Sequence, residues 1–189
     1  MKVIQLRGTN ATGKTTAVRQ FIERGAFEVR DINVNGQVIE YHYEKARNIV
    51  ILGRYDTRMS GGVDGMITNK NVLRNSIVKI LRNVRPETFI FEGIVYGVTF
   101  KFAYELYRAL KSLNYDYKAI CLIPPLEVAF DRVAERNGGK PVDLLSIQSK
   151  WFSAARSAET LKQAGVPVKI IDTSKVPKDS MWQIIQEEL

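Results

Sequence analysis

The chain has 189 residues, of which 45% are hydrophobic and 25% charged, and its formal net charge is +8. This size and composition are those of one globular domain with its own core, and they exclude a disordered or low-complexity protein. The longest apolar runs have the length of strands, which excludes a membrane-spanning helix, and we find no signal-peptide pattern. We therefore expect a cytoplasmic protein whose single cysteine, Cys121, packs in the core.

The first feature along the chain is a phosphate-binding loop. Between a predicted strand at residues 2–6 and a predicted helix at residues 16–24, the sequence Gly-Thr-Asn-Ala-Thr-Gly-Lys-Thr matches G-x-x-x-x-G-K-[ST]. The glycines let such a loop curl, so that its N–H groups and the following helix surround phosphate oxygens. Lys14 brings positive charge to the outer phosphates, and the Thr15 hydroxyl is a ligand for Mg²⁺. The predicted nucleotide-binding residues are Gly8, Thr9, Asn10, Ala11, Thr12, Gly13, Lys14, Thr15 and Thr16.

A hairpin and a glycine-rich loop follow. Asn35-Gly36 separates two extended-looking runs, which predicts an inserted hairpin within residues 27–47. His42, the only histidine, is expected to be a solvated strand residue. A further strand at residues 49–53 belongs either to the main sheet or to this small antiparallel insert. Residues 54–65 lack periodicity and are rich in glycine and charge, which favours a substrate-binding loop.

Strands and helices alternate along the rest of the chain. We predict helices at 66–85, 101–113, 126–136, 144–164 and 179–188, and strands at 88–93, 118–123 and 168–171. This alternation predicts an α/β fold with a central parallel sheet, whose carboxyl edge carries the phosphate loop. Glu92 ends a buried strand, where an acid can hold the water shell of Mg²⁺, although a structural carboxylate is the alternative.

The positive charge is unevenly distributed. Between Arg54 and Arg85 there are seven basic residues and two acidic ones. Such an excess indicates a polyanionic partner, and a solubilising surface is the alternative.

The chain resembles the nucleoside monophosphate kinase group of P-loop kinases. Residues 122–139 are similar to the segment that leads from the fourth strand into the mobile lid, and residues 170–174 to the last strand and the loop beside the adenine. The resemblance implies a single P-loop domain over residues 1–189 with a three-layer αβα fold, bound ATP and Mg²⁺, and a lid at residues 132–143. Arg132 and Arg136 stand where the lid arginines of that family clasp the phosphates. A guanine motif, Asn-Lys-x-Asp, is absent from the sequence, which argues against a switch GTPase.

A narrower resemblance rests on the loop after the hairpin. Gly53-Arg54-Tyr55 followed by Gly61-Gly62-Val63-Asp64 is similar to the bacteriophage DNA kinases that phosphorylate 5-hydroxymethyluridine. This resemblance implies an ATP-dependent phosphotransferase with an alcohol acceptor, which acts in the host cytoplasm on 5-hydroxymethyluracil in DNA during thymidine hypermodification.

The reaction requires a base beside the acceptor. A carboxylate can accept the proton of a primary hydroxyl that lies in line with the γ-phosphate. Asp64, flanked by Val63 and Gly65 in a glycine-rich bend, is the first choice and Asp56 the second, while a turn-forming role is the alternative for Asp64. The predicted catalytic residues are Lys14, Asp64, Arg132 and Arg136, and the predicted substrate-binding residues are Arg54, Asp56, Arg58, Lys70 and Arg74.

Two alternative functions stay open at this point. A deoxynucleoside monophosphate kinase that acts on free nucleotides would share the fold and the ATP site. A nucleotide-gated binding protein would bind ATP without phosphotransfer, and it would need neither an acceptor base nor lid arginines.

Overall fold

The computed structural model of the chain describes residues 1–55, 61–67, 69–138 and 140–189. The strands are β1 Lys2–Arg7, β2 Glu28–Val34, β3 Gln37–Glu44, β4 Ile49–Leu52, β5 Thr88–Glu92, β6 Asp116–Leu122 and β7 Val168–Ile171. The helices are α1 Lys14–Glu23, α2 Lys70–Val84, α3 Ile94–Gly97, α4 Phe100–Ser112, α5 Leu126–Arg136, α6 Leu144–Gln163 and α7 Gln183–Gln186.

The described strands form one sheet of 7 strands in the order β2-β3-β4-β5-β1-β6-β7. The five strands from β4 to β7 in this order are mutually parallel, and β1 lies between β5 and β6. Parallel strands place their carboxyl ends at a common edge, and the phosphate loop follows β1 at that edge. The predicted α/β fold with a mainly parallel sheet is therefore confirmed.

The hairpin extends this sheet. Asn35 and Gly36 both have left-handed backbone angles, with φ of 54° and 84°, as a two-residue hairpin turn with a type I′ conformation requires. Strand β4 pairs antiparallel with β3 and parallel with β5. It therefore belongs both to the main sheet and to the antiparallel insert, which the sequence had offered as alternatives.

Helices cover both faces of the sheet. On one face, Val18 and Phe21 of α1 pack with Ile184 and Ile185 near the carboxyl terminus. On the other face, α2, α4 and α6 contribute buried residues such as Ile77, Leu106 and Leu161 to the larger core. Cys121 is buried in this core as expected. Within the described residues we find no helix with the length and hydropathy needed to cross a membrane.

Four details differ from the sequence predictions. Helix α2 begins at Lys70, because Asn69 caps it with a side-chain acceptor for the Asn71 N–H. Met66 and Ile67, which were predicted to be helical, lie in buried turns. The predicted closing helix at 179–188 is a 3₁₀ turn at Lys178–Ser180 followed by the short α7. The short helix α3 was not predicted. His42 was expected to be solvated and this was wrong, since it is 6% exposed and its ring lies 5.6 Å from that of Tyr55.

Candidate active site

The phosphate loop joins β1 to α1 in a tight curl. Gly8 and Gly13 have φ of 144° and 92°, and Ala11 also adopts a left-handed conformation with φ of 56°. A Cβ atom on Gly8 would lie 2.6 Å from the Leu122 carbonyl oxygen, so the close approach of loop and sheet requires glycine there. The hydroxyl of Thr12 donates to the Thr9 carbonyl and holds the curl closed at 3.2 Å. The loop therefore presents the amino end of α1 to an anion.

Lys14 is a buried cation at the centre of the loop. Its Nζ donates to the Thr9 carbonyl oxygen at 2.6 Å, and the residue is 5% exposed. Burial lowers the pKa of Lys14, while the carboxylates of Glu92 and Asp64 act in the opposite direction. The two acids thus compensate for the cost of holding a positive charge beside the loop.

The side chains of Thr15 and Glu92 form a hydrogen-bonded pair at the same edge. The Thr15 hydroxyl donates to Glu92 Oε1 at 2.7 Å, and Glu92 is 2% exposed. Burial raises the pKa of Glu92, against the effects of Lys14 and of the Thr15 hydrogen bond. A hydroxyl and a carboxylate fit Mg²⁺, which prefers oxygen and takes much of its shell from phosphate and water. The described residues contain no group of three or more histidine, cysteine or acidic side chains placed to hold a metal ion.

The glycine-rich loop brings Asp64 to this edge. The Val63 N–H donates to the Glu92 carbonyl oxygen at 3.0 Å, and Gly62 exchanges two backbone hydrogen bonds with Arg54. Gly62 has φ of 83°, and a Cβ atom on it would lie 2.6 Å from Glu92 Oε1. The loop therefore lies directly against Glu92, which a larger residue at position 62 would prevent.

The carboxylate of Asp64 is oriented by the start of α3. Asp64 Oδ2 accepts a short hydrogen bond from the Ile94 N–H. A Cβ atom on Gly93 would lie 2.9 Å from Asp64 Oδ1, so this glycine too makes room for an acid. Asp64 is half-buried and faces the same pocket as Glu92.

A single pocket of about 610 Å³ joins these groups. Its volume suits a nucleotide. From the predicted sites it contains Asn10, Ala11, Thr12, Gly13, Lys14, Thr15, Thr16, Asp64, Glu92, Arg132 and Arg136. The structure thus brings the predicted phosphate, metal and acceptor-base residues to one place.

Two arginines of α5 form another wall of the pocket. Arg132 donates to the side-chain oxygen of Thr173 at 3.0 Å and to its carbonyl oxygen at 2.9 Å. Arg136 lies one turn further along and is exposed. Both arginines belong to a regular helix, and the predicted lid at 132–143 thus begins inside α5.

The predicted substrate-binding residues lie elsewhere. Arg54 is exposed and its Nε lies 3.5 Å from Glu40 Oε2, while Lys70 and Arg74 are exposed on α2. None of these three residues lines the described pocket. Asp56 and Arg58 fall outside the described residues. Contact of this set with a substrate stays a prediction.

Some pocket residues were not anticipated from the sequence. Arg19 lines the pocket one helical turn after Thr15. Its spacing of four residues from Thr15 places the two side chains on the same side of α1, and this could have been recognised in the sequence. Tyr55, from the glycine-arginine-tyrosine segment, is buried nearby, where burial and the charge of Glu92 hold its pKa well above the ordinary value. Met181 adds an apolar wall from the carboxyl-terminal segment, which no sequence signal indicated.

Comparison with known proteins finds similar proteins in bacteriophages. No protein-family model matches the chain. The chain is 28% identical over 185 residues to a protein of Pseudomonas phage M6 named 5-hmdU DNA kinase, with 95% of each chain covered. It is 27% identical over 176 residues to a protein of the same name from Delftia phage PhiW-14, over 87% of this chain but 65% of that relative. The chain thus spans just under two thirds of the length of the Delftia phage protein.

Solved structures confirm the fold. The tunicamycin resistance protein of Deinococcus radiodurans superposes with a TM-score of 0.55 over 99% of this chain and 95% of its own, at 14% sequence identity. At that identity the likeness concerns the αβα fold alone. The phage relatives confirm the predicted resemblance of this chain to the bacteriophage 5-hydroxymethyluridine DNA kinases.

Proposed function

We propose that the protein is an ATP-dependent kinase that transfers the γ-phosphate to the 5-hydroxymethyl group of 5-hydroxymethyluracil in DNA. The observation that carries this proposal is the shared pocket of Lys14, Glu92 and Asp64, because it sets an oriented carboxylate beside a phosphate loop and a metal-ligand pair. The names of the phage relatives support the acceptor.

In this proposal each residue has one role. The curled loop and Lys14 bind the outer phosphates, and Arg132 and Arg136 approach them from the side of α5. Thr15 and Glu92 would hold a Mg²⁺ ion, which would supply positive charge to neutralise the phosphates when bound. The acceptor oxygen forms a bond to the γ-phosphorus, the bond to the bridging oxygen breaks, and the proton of the hydroxyl moves to Asp64.

The Asp64 carboxylate suits the role of base for a geometric reason. The Ile94 N–H fixes one carboxylate oxygen, and the loop that carries Asp64 is hydrogen-bonded to the end of β5 through Val63. A base held in this way loses little conformational freedom when the acceptor arrives, which favours a productive orientation.

A polymeric acceptor agrees with the charge of the protein. The net charge of +8 is far more than a pocket for a small nucleotide requires, and exposed cations such as Lys70 and Arg74 lie on α2. In double-stranded DNA the 5-substituent of uracil points into the major groove, where the thymine methyl group lies. Backbone contacts by these cations would position the DNA without reading its sequence.

Transfer of labelled phosphate tests the proposal. The protein is incubated with γ-labelled ATP and Mg²⁺, and the acceptors are DNA with 5-hydroxymethyluracil and blocked 5′ ends, unmodified DNA, and a panel of free monophosphates. Label in the modified DNA alone, found on the modified nucleoside after digestion and mass analysis, supports the proposal. Label in free monophosphates alone identifies a nucleotide kinase, and ATP binding without transfer to any acceptor identifies a nucleotide-gated binding protein. Lys14→Ala is the control that should abolish transfer.

A further inference from the structure

A second concavity lies on the other side of α3 from the nucleotide pocket. It is a groove of about 850 Å³ between the amino end of α4 and the outer side of α6. Its walls include Thr99, Phe100, Ser149, Phe152, Ser153 and Arg156. It shares no lining residue with the nucleotide pocket, so the proposed reaction does not explain it.

Two arginines give this groove a positive character. Arg156 is exposed at its rim. Beneath it, Arg7 is 1% exposed and donates to the Ser157 hydroxyl at 2.9 Å and to the Thr99 carbonyl oxygen at 3.2 Å. Within the described chain, neither arginine forms an ion pair with a carboxylate. A buried charge with only neutral acceptors projects its potential into the adjacent groove, where it favours an anion.

Aromatic rings and hydroxyl groups complete the groove. Phe152 is 52% exposed, which is unusual for so large an apolar side chain. Phe100 stacks on Tyr104, with ring centroids 5.3 Å apart and planes inclined by 16°. Phe100 is half-buried, so Phe152 is the exposed ring of the groove. An exposed aromatic ring beside arginine and hydroxyl groups is a combination that binds single-stranded nucleic acid, because a base stacks on the ring and the polar groups contact phosphates.

The groove lies one helical turn from the candidate acceptor base. Helix α3 has 4 residues, or about 6 Å of length, and its first N–H donates to Asp64. The residues that follow it, Val98 and Thr99, line the groove. The backbone that holds Asp64 and the residues that line the groove are therefore separated by about one helical turn.

We propose that this groove binds the single-stranded DNA that flanks the nucleotide being phosphorylated. A flanking base stacks on Phe152, and a neighbouring phosphate lies at Arg156, within the potential of Arg7. This inference rests on the proposed function, since it names the part of the DNA substrate that the α4–α6 face holds. The predicted contacts Lys70 and Arg74 do not line this groove.

Binding of a fluorescent oligonucleotide tests the inference without any need for turnover. Anisotropy titrations at several salt concentrations compare the unmodified protein with Phe152→Ala and Arg156→Ala. We expect Phe152→Ala to weaken binding about 5- to 100-fold at an unchanged salt slope. Arg156→Ala should lower that slope by about 0.7, the value for one phosphate contact on a single strand. Lys162→Ala, an exposed cation on the same helix outside the groove, is the matched control and should change affinity little.

The outcomes separate the inference from the proposed function. If the unmodified protein phosphorylates modified DNA and both groove variants bind the oligonucleotide as tightly as it does, the groove does not hold DNA and the function stands. If the unmodified protein transfers phosphate only to free monophosphates, the proposed function is wrong and the inference falls with it. Loss of oligonucleotide binding in both variants, with unchanged ATP affinity and unchanged thermal unfolding, supports the groove.

Discussion

Gly62 and Gly36 have nearly the same left-handed backbone conformation in very different surroundings. Their φ angles are 83° and 84°. A Cβ atom on Gly36 would meet nothing within 4 Å, whereas one on Gly62 would lie 2.6 Å from Glu92 Oε1 and 2.7 Å from the Glu92 carbonyl oxygen. The pair Gly62→Ala and Gly36→Ala therefore separates the effect of backbone strain from the effect of displacing the Glu92 side chain.

The expected magnitudes follow from these contacts. A left-handed conformation costs a residue with a Cβ atom about 1–2 kcal/mol, and this cost applies to both variants. Overpacking against Glu92 adds about 1–3 kcal/mol to Gly62→Ala alone. For a chain of this size, 1 kcal/mol lowers Tm by about 2–4 °C. We expect Gly62→Ala also to lose about 10²-fold in the rate of phosphotransfer, because a shift of about 1 Å at the site has an effect of that order.

Thermal unfolding and single-turnover kinetics test this pair. Gly36→Ala should show a modest loss of Tm and a normal rate, and Gly62→Ala a larger loss of Tm and a low rate. If both variants lose the same amount of stability and keep the same rate, the close packing of the glycine loop on Glu92 does not organise the site.

Three further predictions concern the acids and the metal. Asp64→Asn should keep its acceptor for the Ile94 N–H and normal ATP affinity, yet lower the single-turnover rate about 10²- to 10⁴-fold, and a full rate would exclude Asp64 as the base. Thr15→Val removes the hydroxyl that donates to Glu92, so calorimetry should find the same ATP affinity with Mg²⁺ as with EDTA; a retained metal dependence would contradict the assignment. Burial raises the pKa of Glu92, so between the ordinary glutamate pKa and the raised value the native state binds more protons than the unfolded state. The free energy of unfolding should therefore fall as pH rises through this window, and urea titrations of Glu92→Gln should lack that contribution, whereas an unchanged slope would assign it to another group.

The parts of the fold set by local chemistry were predictable from the sequence. The phosphate loop needs its glycines, Lys14 and Thr15 at fixed spacing, and Asn35-Gly36 supplies the two left-handed residues of a hairpin turn. The predicted bounds of α5 and β7 agree with the structure for the same reason, because Pro125 stands just before α5 and a polar turn follows β7.

The parts that depend on distant residues were not predictable. His42 alternates with apolar neighbours as a solvated residue would, but its side of the sheet is covered when Tyr55 packs against its ring. Met66 and Ile67 continue the apolar spacing of α2, although Asn69 caps the helix after them and leaves both in buried turns. Sequence periodicity records which residues are apolar and not where a cap begins the helix.

The candidate site, like the fold, has parts that local sequence predicts and parts that depend on distant residues. The residues of the loop were identified by their spacing, and Asp64 by its glycine neighbours. Asp64 lies near Glu92 because the backbones of Val63 and Glu92 form a hydrogen bond. These two residues are far apart in the chain, so no local sequence pattern indicates this contact. The catalytic roles of these residues stay predictions until the variants above are measured.

The two hydrogen bonds between Arg132 and Thr173 have a consequence for the exchange of nucleotides. Thr173 is fully buried, so the segment after β7 is anchored, and Arg132 ties α5 to that anchor. A hinge in α5 at or before Arg132 would have to break both bonds or pull Thr173 out of the protein interior. If the predicted lid at residues 132–143 moves during nucleotide exchange, it should therefore pivot beyond Arg132, while the preceding part of α5 stays in place.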